Sequence, residues 1–212
     1  MRRLARLTAS LALVLGLAAC ADVETGPMQN NFLSPGRTVA APAPQPVVMR
    51  WGAKAGSDAW TAATMTALEQ HGDAMVARVP RDIAAFCPGY EAQDAHGRRA
   101  FWAGLMSSVA KHESTWNPRA SGGGGRWLGL MQIAPSTWRH YGCTGEIMNG
   151  ADNMACAVKI ASRQVGRDNA VASADGNWRG VARDWAPMRS AKKRADIAAW
   201  TAAQPYCAAK RG

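Results

Sequence analysis

Apolar side chains recur at helical spacing through most of the chain beyond about residue 58. This period predicts a series of helices, and runs of β-branched residues with period two, which are typical of strands, do not occur. We therefore expect a mainly α fold. Gly72 falls inside the first predicted helix and weakens it, because glycine has a low helix propensity. The predicted helices cover residues 58–79, 94–113, 135–141, 151–165, 178–185 and 190–203.

The start of the chain differs from this pattern. Residues 1–6 include three arginines, and residues 7–19 form an apolar stretch that is too short to cross a bilayer comfortably. These are the n-region and h-region of a secretory signal. The stretch ends in Leu17-Ala18-Ala19-Cys20, which resembles the lipobox of bacterial lipoproteins. The resemblance implies an exported, periplasmic protein that a lipid on Cys20 anchors to the outer membrane. Ordinary signal cleavage after Ala21 is the alternative.

The next segment, residues 20–57, is rich in proline, alanine and polar residues and contains few large apolar side chains. Such a segment cannot bury enough surface to fold alone, and its composition favours an extended, semi-rigid linker. The remaining residues, 58–212, are numerous enough for one hydrophobic core. The sequence therefore predicts a signal peptide at 1–19, a linker at 20–57 and one folded domain at 58–212.

The charge balance is basic, with a formal net charge of +10. Removal of the signal segment takes away three of the 25 basic residues and leaves 22 against 15 acidic ones, a net charge of +7. The basic residues are scattered, apart from Lys192-Lys193-Arg194, and lack the aromatic interleaving of nucleic-acid-binding surfaces. We expect no nucleic-acid partner, and an anionic cell-wall polymer is the more natural partner of an exported basic protein.

Four cysteines are free to pair in either case, because lipidation would occupy the thiol of Cys20 and cleavage after Ala21 would remove that residue. An even number in an exported chain indicates two disulfide bonds. Of the three possible pairings we favour Cys143–Cys156, which closes a short loop, together with Cys87–Cys207, which joins the start of the domain to its end.

The segment 111–133, KHESTWNPRASGGGGRWLGLMQI, carries the most informative chemistry. Glu113 stands at the end of the predicted helix 94–113, after an apolar face. A carboxyl group held among apolar neighbours can protonate a leaving oxygen near neutral pH, because desolvation disfavours its charged form. An ordinary solvent-facing glutamate is the alternative for such a residue. The glycines at 122–125 are expected to form a flexible rim.

The neighbouring His112 does not make a metal site with Glu113. A zinc-protease helix needs a second histidine four residues after the first, and this chain has Trp116 there. We assign no metal and no cofactor, and we expect His112 to be a packed or surface histidine rather than a general base.

Several short motifs follow one another through this part of the chain: Glu113-Ser114, Asn117-Pro118, Gly129-Leu130-Met131-Gln132-Ile133, and Asn153 followed by Ala155 within a predicted helix. Their order and approximate spacing resemble those of SLT-type lytic transglycosylases, which are similar in fold to goose-type lysozymes. The resemblance spans roughly residues 101–165. It implies a single lysozyme-like domain that acts on peptidoglycan and cleaves the β-1,4 bond between N-acetylmuramic acid and N-acetylglucosamine.

Residue by residue, the resemblance implies that Glu113 is the catalytic acid. One carboxyl group suffices in this family, because the C6 hydroxyl of the substrate attacks C1 with assistance from the muramoyl N-acetyl group. Glu113 would donate a proton to the leaving O4 and then accept the C6 hydroxyl proton, giving a 1,6-anhydromuramoyl end. An internal nucleophile also avoids the entropy of recruiting a water molecule. The predicted substrate-binding residues are Ser114, Gly129, Leu130, Met131, Gln132 and Asn153.

One departure leaves alternatives open. The family usually carries an Ala-Tyr-Asn triplet downstream, and here Ala182-Arg183-Asp184-Trp185 occupies the comparable region. If Asp184 acted as a second carboxylate, water could attack and the product would be that of a hydrolytic muramidase. A non-catalytic peptidoglycan-binding lipoprotein is a third possibility, and the presence of Glu113 argues against it.

Overall fold

The structure is a computed structural model that describes residues 47–208. The predicted signal peptide at 1–19, the lipidation site Cys20, most of the predicted linker and residues 209–212 lie outside the described residues. Within 47–208, no helix combines the length and the apolar character that crossing a bilayer requires.

The described residues form a mainly α domain, as the periodicity predicts. Four predicted helices are confirmed to within a few residues of their bounds, and one predicted helix is divided into two. The helices are α1 (Ser57–His71), α2 (Asp73–Val76), α3 (Ala95–Ser114), α4 (Pro135–His140), α5 (Gly150–Asp168) and α6 (Ala191–Ala202).

The central element of the fold is α3. Asp94 caps its N-terminus by accepting a hydrogen bond from the Gly97 backbone N–H at 2.8 Å. Residues 100–110 are all buried, so other elements cover this part of the helix on every side. The helix becomes partly exposed again in its last turn, and Glu113 lies in that turn. The sequence thus places one acidic residue where a buried helix approaches the surface.

The predicted helix 58–79 is wrong as a single helix, because it breaks at Gly72. The Gly72 N–H still donates to the Leu68 carbonyl at 3.1 Å, and a new helix then starts at Asp73. A Cβ atom at position 72 would collide with that carbonyl, so the tight junction needs glycine. Helix α2 then ends at Val76, before the predicted end.

The helix predicted at 178–185 is also wrong in type. This region begins in a short β-ribbon and continues as 3₁₀ turns. Each strand has two residues, which is too short for a period-two pattern to show. The antiparallel ribbons are β1 (Ser121–Gly122) with β2 (Trp127–Leu128), and β3 (Ser173–Ala174) with β4 (Asn177–Trp178). The 3₁₀ turns are Ile83–Ala85, Tyr90–Ala92, Gly180–Arg183, Ala186–Met188 and Pro205–Cys207.

Two disulfide bonds join the pairs that the sequence favours. Cys87 pairs with Cys207 and Cys143 with Cys156, with Cα–Cα distances of 4.7 and 5.4 Å. The first bond ties the segment before α3 to the turn after α6.

Residues 49–51, which the sequence places in the linker, pack against the domain. Met49 and Trp51 are buried in the core, and the Trp51 indole N–H donates to Thr61 Oγ1 at 3.0 Å. The Arg50 backbone N–H donates to Ser107 Oγ of α3 at 2.9 Å. The packed part of the chain therefore begins before residue 58.

Candidate active site

Glu113 is positioned by an unusual end to α3. Thr115, which caps the helix, has φ 52°, and Trp116 has φ 59°. Two successive residues with side chains in the left-handed region are energetically unfavourable and occur preferentially at functional sites. The Trp116 indole N–H donates to the Ser107 carbonyl at 2.8 Å, which holds the reversed chain against the helix.

The carboxyl group of Glu113 is half-buried and unpaired. Within residues 47–208 it has no hydrogen-bond partner and no basic group within ion-pair distance. Burial raises the pKa of Glu113 from 4.5 to about 7, while the positive charges of Lys193 and Arg189 lower it to a smaller extent. A substantial fraction of the group is therefore protonated at neutral pH, as a general acid requires.

The turn that carries Glu113 is fastened to α6 through Asp196. His112 Nε2 lies 2.7 Å from Asp196 Oδ2, and Lys111 Nζ lies 3.4 Å from the same oxygen. Arg50 forms a bidentate pair with this carboxylate, with both N–O distances at 2.8 Å. The Arg50 hydrogen bonds are the main reason why the pKa of Asp196 is well below its usual value. His112 is thus a packed histidine held by Asp196.

Nothing in the sequence pattern singles out Arg50 or Asp196, which are 146 residues apart. They come from opposite ends of the domain's sequence, and in the fold they pair with each other and hold the end of α3 in place. Ser114, by contrast, was predicted beside the acid and lies there. Its hydroxyl donates to the Ala110 carbonyl at 3.2 Å, and its contact with substrate stays a prediction.

The Gly129–Ile133 motif forms a compact turn between β2 and α4. Gly129 has φ 79°, and a Cβ atom at this position would meet the Asn153 amide and the Ile147 carbonyl. Gln132, with φ 48°, donates from Nε2 to the Gly129 carbonyl at 2.9 Å and to the Ala120 carbonyl at 3.2 Å. The motif is therefore a rigid loop whose shape depends on its glycine and its amide.

The side chains of Leu130 and Met131 are fully buried. They hold the turn on the core, whereas Gln132 is half-buried. Substrate binding by Gly129, Leu130, Met131 and Gln132 stays a prediction.

Asn153 connects this turn to α5. Its Oδ1 accepts a hydrogen bond from the Met131 N–H at 2.8 Å, and its Nδ2 donates to the carbonyls of Ile147 at 2.8 Å and Leu128 at 3.1 Å. The residue is fully buried. These contacts are those of a positioning residue, and the predicted contact of Asn153 with a sugar is untested.

Asn153→Ala is expected to lower the free energy of unfolding by about 2–4 kcal/mol, because it leaves the buried Met131 N–H and the Ile147 carbonyl without their hydrogen-bond partner, whereas the Leu128 carbonyl keeps the Ile133 N–H. Urea unfolding measures the change. Asn177→Ala, at an exposed asparagine, is the matched control and should stay within about 0.5 kcal/mol of the wild type. A variant that keeps full stability but loses glycan binding would favour direct contact of Asn153 with the sugar.

The region in place of the family's Ala-Tyr-Asn triplet is tied to the same turn. The indole N–H of buried Trp185 donates to the Met131 carbonyl at 2.9 Å. Asp184 accepts a hydrogen bond from Gln164 Nε2 at 2.7 Å. Partial burial of its carboxyl raises the pKa of Asp184, although the residue as a whole is exposed, and the Gln164 hydrogen bond lowers it. Arg183 points to Asp168, with its Nη2 3.1 Å from Asp168 Oδ1.

None of the three tyrosines is assigned the place of the tyrosine in the family's Ala-Tyr-Asn triplet. Tyr90 and Tyr206 are buried, and their hydroxyls donate to the backbone carbonyls of Val76 and Val48. Tyr141 is half-buried, and its hydroxyl lies 3.4 Å from the same Gln164 amide that holds Asp184.

Residues 47–208 contain no group of three or more His, Cys, Asp or Glu side chains that could hold a metal ion. The assignments of no metal and no cofactor stay predictions.

The domain combines a buried central helix, which ends in a half-buried and unpaired glutamate, with a tight turn held by an asparagine. Residues 91–179 match the family model described as "Transglycosylase SLT domain". The domain therefore has the SLT-type, lysozyme-like fold.

Solved structures agree with this assignment. A glutamate-to-glutamine mutant of DslA (Bd0314) is 28% identical, with a TM-score of 0.70, and the match covers 76% of this chain and 98% of that chain. The wild-type form 2 of the same protein is 27% identical, with a TM-score of 0.68 and the same coverage. No curated protein matches the chain. The SLT match supports a lytic-transglycosylase-like activity on the glycan strands of peptidoglycan, and the two disulfides suggest an exported domain.

Proposed function

We propose that the protein is a peptidoglycan lytic transglycosylase that cleaves the β-1,4 bond between N-acetylmuramic acid and N-acetylglucosamine and leaves 1,6-anhydromuramoyl ends. The observation that carries this proposal is the half-buried Glu113 carboxyl group, unpaired within residues 47–208 and with its pKa raised to about 7. It lies within the part of the chain that matches the SLT domain.

In this mechanism Glu113 acts twice. The protonated carboxyl donates its proton to the O4 atom of the leaving N-acetylglucosamine while the muramoyl N-acetyl oxygen bonds to C1. The resulting carboxylate then accepts the C6 hydroxyl proton as the C6 oxygen attacks C1 and displaces the acetamido oxygen. A pKa near 7 suits both steps, because the group must give up and regain a proton in one turnover.

The hydrolytic alternative depends on Asp184. One of its carboxylate oxygens accepts a short hydrogen bond from Gln164, and its charge lies near those of Arg167, Arg183 and Arg189. These contacts favour a carboxylate with a structural role over a free base that activates water. We therefore prefer attack by the C6 hydroxyl.

Digestion of purified peptidoglycan tests the proposal. Mass spectrometry of the released muropeptides is expected to show anhydro ends, which are lighter by one water than reducing ends. Reducing ends would identify a muramidase instead. No release, from protein that binds the peptidoglycan, would identify a non-catalytic wall-binding protein.

The membrane anchor is a separate part of the proposal. We propose lipidation at Cys20 and attachment to the outer membrane on the basis of Leu17-Ala18-Ala19-Cys20 alone. Residues 21–46 would then connect the anchor to the packed domain.

A further inference from the structure

The positive charges of two basic side chains reach the candidate acid, and the mechanism above gives them no task. Arg189 follows the 3₁₀ turn Ala186–Met188, and Lys193 lies in the first turn of α6. Both are exposed, and their positive charges act on Glu113.

The packing of α6 against α3 explains the position of Lys193. Asp196, which contacts His112 next to Glu113, is three residues after Lys193 on the same helix. Residues at this spacing lie on one helix face. The hydrogen bond that fastens α6 therefore turns the face carrying Lys193 toward the end of α3.

Arg189 is held in place by the backbone of the neighbouring turn. Its Nη1 donates to the Ala182 carbonyl at 2.6 Å and to the Arg183 carbonyl at 3.1 Å. The side chain therefore has a defined position beside the site.

Within the described part of the chain, neither Arg189 nor Lys193 has a carboxylate within ion-pair distance. Nearby basic residues are engaged. Arg50 pairs with Asp196, Arg183 pairs with Asp168, and Arg194 donates to the Met188 carbonyl and stacks over Trp178. The charges of Arg189 and Lys193 act on Glu113 without a direct ion-pair partner, although the charge of Arg189 also acts on Asp184.

These two charges work against the acid in the free protein. They lower the pKa of Glu113, whereas proton donation needs it high. Their presence is understandable if a negative group of the substrate neutralises them on binding. Glu113 would then keep its proton more firmly in the complex than in the free enzyme.

We propose that Arg189 and Lys193 bind a carboxylate of the peptidoglycan strand beside the scissile bond, so that the enzyme prefers anionic strands to neutral glycans. This inference rests on the proposed function, because it places the substrate against Glu113. Peptidoglycan offers two sources of such a carboxylate: the lactyl group of an unsubstituted muramic acid, and the stem peptide of a substituted one. Arginine and lysine both form strong charge-assisted hydrogen bonds with carboxylates.

The test uses soluble oligosaccharides of alternating N-acetylglucosamine and N-acetylmuramic acid in three forms. The first has free lactyl carboxylates, the second has them converted to neutral methylamides, and the third carries stem peptides on the lactyl groups. Lys193→Gln and Arg189→Gln/Lys193→Gln are compared with the wild type. Lys192→Gln is the matched control, since it removes the same charge one residue away, from an exposed lysine that does not act on Glu113.

For the double variant we expect KM to rise about tenfold on a carboxylate-bearing form and less than twofold on the methylamide, with Lys193→Gln giving a smaller rise of the same kind. A rise in KM on the free lactyl form alone identifies the lactyl carboxylate as the bound group. A rise in KM on the peptide form alone identifies the stem peptide. Lys192→Gln should match the wild type. The conservative pair Arg189→Lys/Lys193→Arg should recover most of the binding, because it keeps both charges.

Calorimetric binding of the same three forms keeps this inference separable from the proposed function. Should the wild type cleave none of them, the proposed function fails, but a loss of carboxylate-dependent binding in Lys193→Gln would still support the carboxylate site. Equal binding of all three forms by the wild type, or equal losses on charged and neutral forms in both variants, would overturn the inference.

Discussion

Glu113→Gln is expected to lower kcat/KM for glycan cleavage by roughly three orders of magnitude, the typical contribution of a general acid. Glutamine has nearly the same shape but cannot donate a proton to O4 or accept one from the C6 hydroxyl. The assay is release of soluble muropeptides from purified peptidoglycan. Glu91→Gln, at an exposed glutamate on the turn Tyr90–Ala92, is the matched control and should keep wild-type activity. Cleavage by Glu113→Gln within tenfold of the wild type would exclude the assigned role.

The pH dependence of the wild type should report the same group. Glu113 must be protonated in the free enzyme, so kcat/KM is expected to fall as the pH rises through about 7, with a tenfold loss per pH unit well above it. The residual activity of Glu113→Gln should not show this fall of kcat/KM above pH 7. A wild-type profile that stays flat from pH 6 to 9 would contradict proton donation by a group with this pKa.

Folding of the variant can be checked in the same pH range, because the carboxylate itself destabilises the native state. The folded pKa lies above the unfolded value of 4.5, so stability is fully present below pH 4.5 and is lost as the pH rises to about 7. Glu113→Gln avoids this loss. Above pH 7 it should be more stable than the wild type, by on the order of 1 kcal/mol. An inactive variant with increased stability would show that activity is lost for chemical reasons.

Local signals in the sequence account for the part of the site built from one continuous segment. The apolar pattern of residues 94–113 predicts α3, and the structure places Glu113 at its half-buried end. The Gly129–Ile133 motif is readable because a glycine with positive φ and a buried asparagine impose strict residue choices on a tight turn. Such constraints act between residues near in sequence or within one motif.

The features of the fold and site that the sequence does not reveal depend on residues far apart in the chain or on very short elements. Asp196 holds the end of α3 together with Arg50, yet each looks like an ordinary surface charge until the chain is folded. The break at Gly72 follows from one close contact with the Leu68 carbonyl, which periodicity does not reveal. Trp185 could be read as any large core residue, and its link to the Met131 carbonyl is visible only in three dimensions.

Opening the Cys87–Cys207 bond should have the largest effect on stability. The bond closes a loop with a sequence separation of 120 residues, and loop-closure entropy for that length is worth roughly 4–5 kcal/mol. Removal of Cys143–Cys156, with a separation of 13, should cost about 3 kcal/mol. We therefore expect Cys87→Ser/Cys207→Ser to lower the free energy of unfolding more than Cys143→Ser/Cys156→Ser, as measured by urea unfolding.

The Cys87–Cys207 bond also lies where it can hold α6 in position. Next to it, the Thr201 hydroxyl of α6 donates to the Phe86 carbonyl at 2.8 Å, so the bond and this contact together hold the C-terminal end of α6. The same helix carries Asp196, which positions the turn of Glu113. Cys87→Ser/Cys207→Ser should therefore lose activity at temperatures below its unfolding midpoint, whereas Cys143→Ser/Cys156→Ser should keep it until it unfolds. Equal unfolding midpoints for the wild type and both variants would contradict the entropic argument. A Cys87→Ser/Cys207→Ser variant that stays fully active up to its midpoint would show that α6 holds its position without the bond.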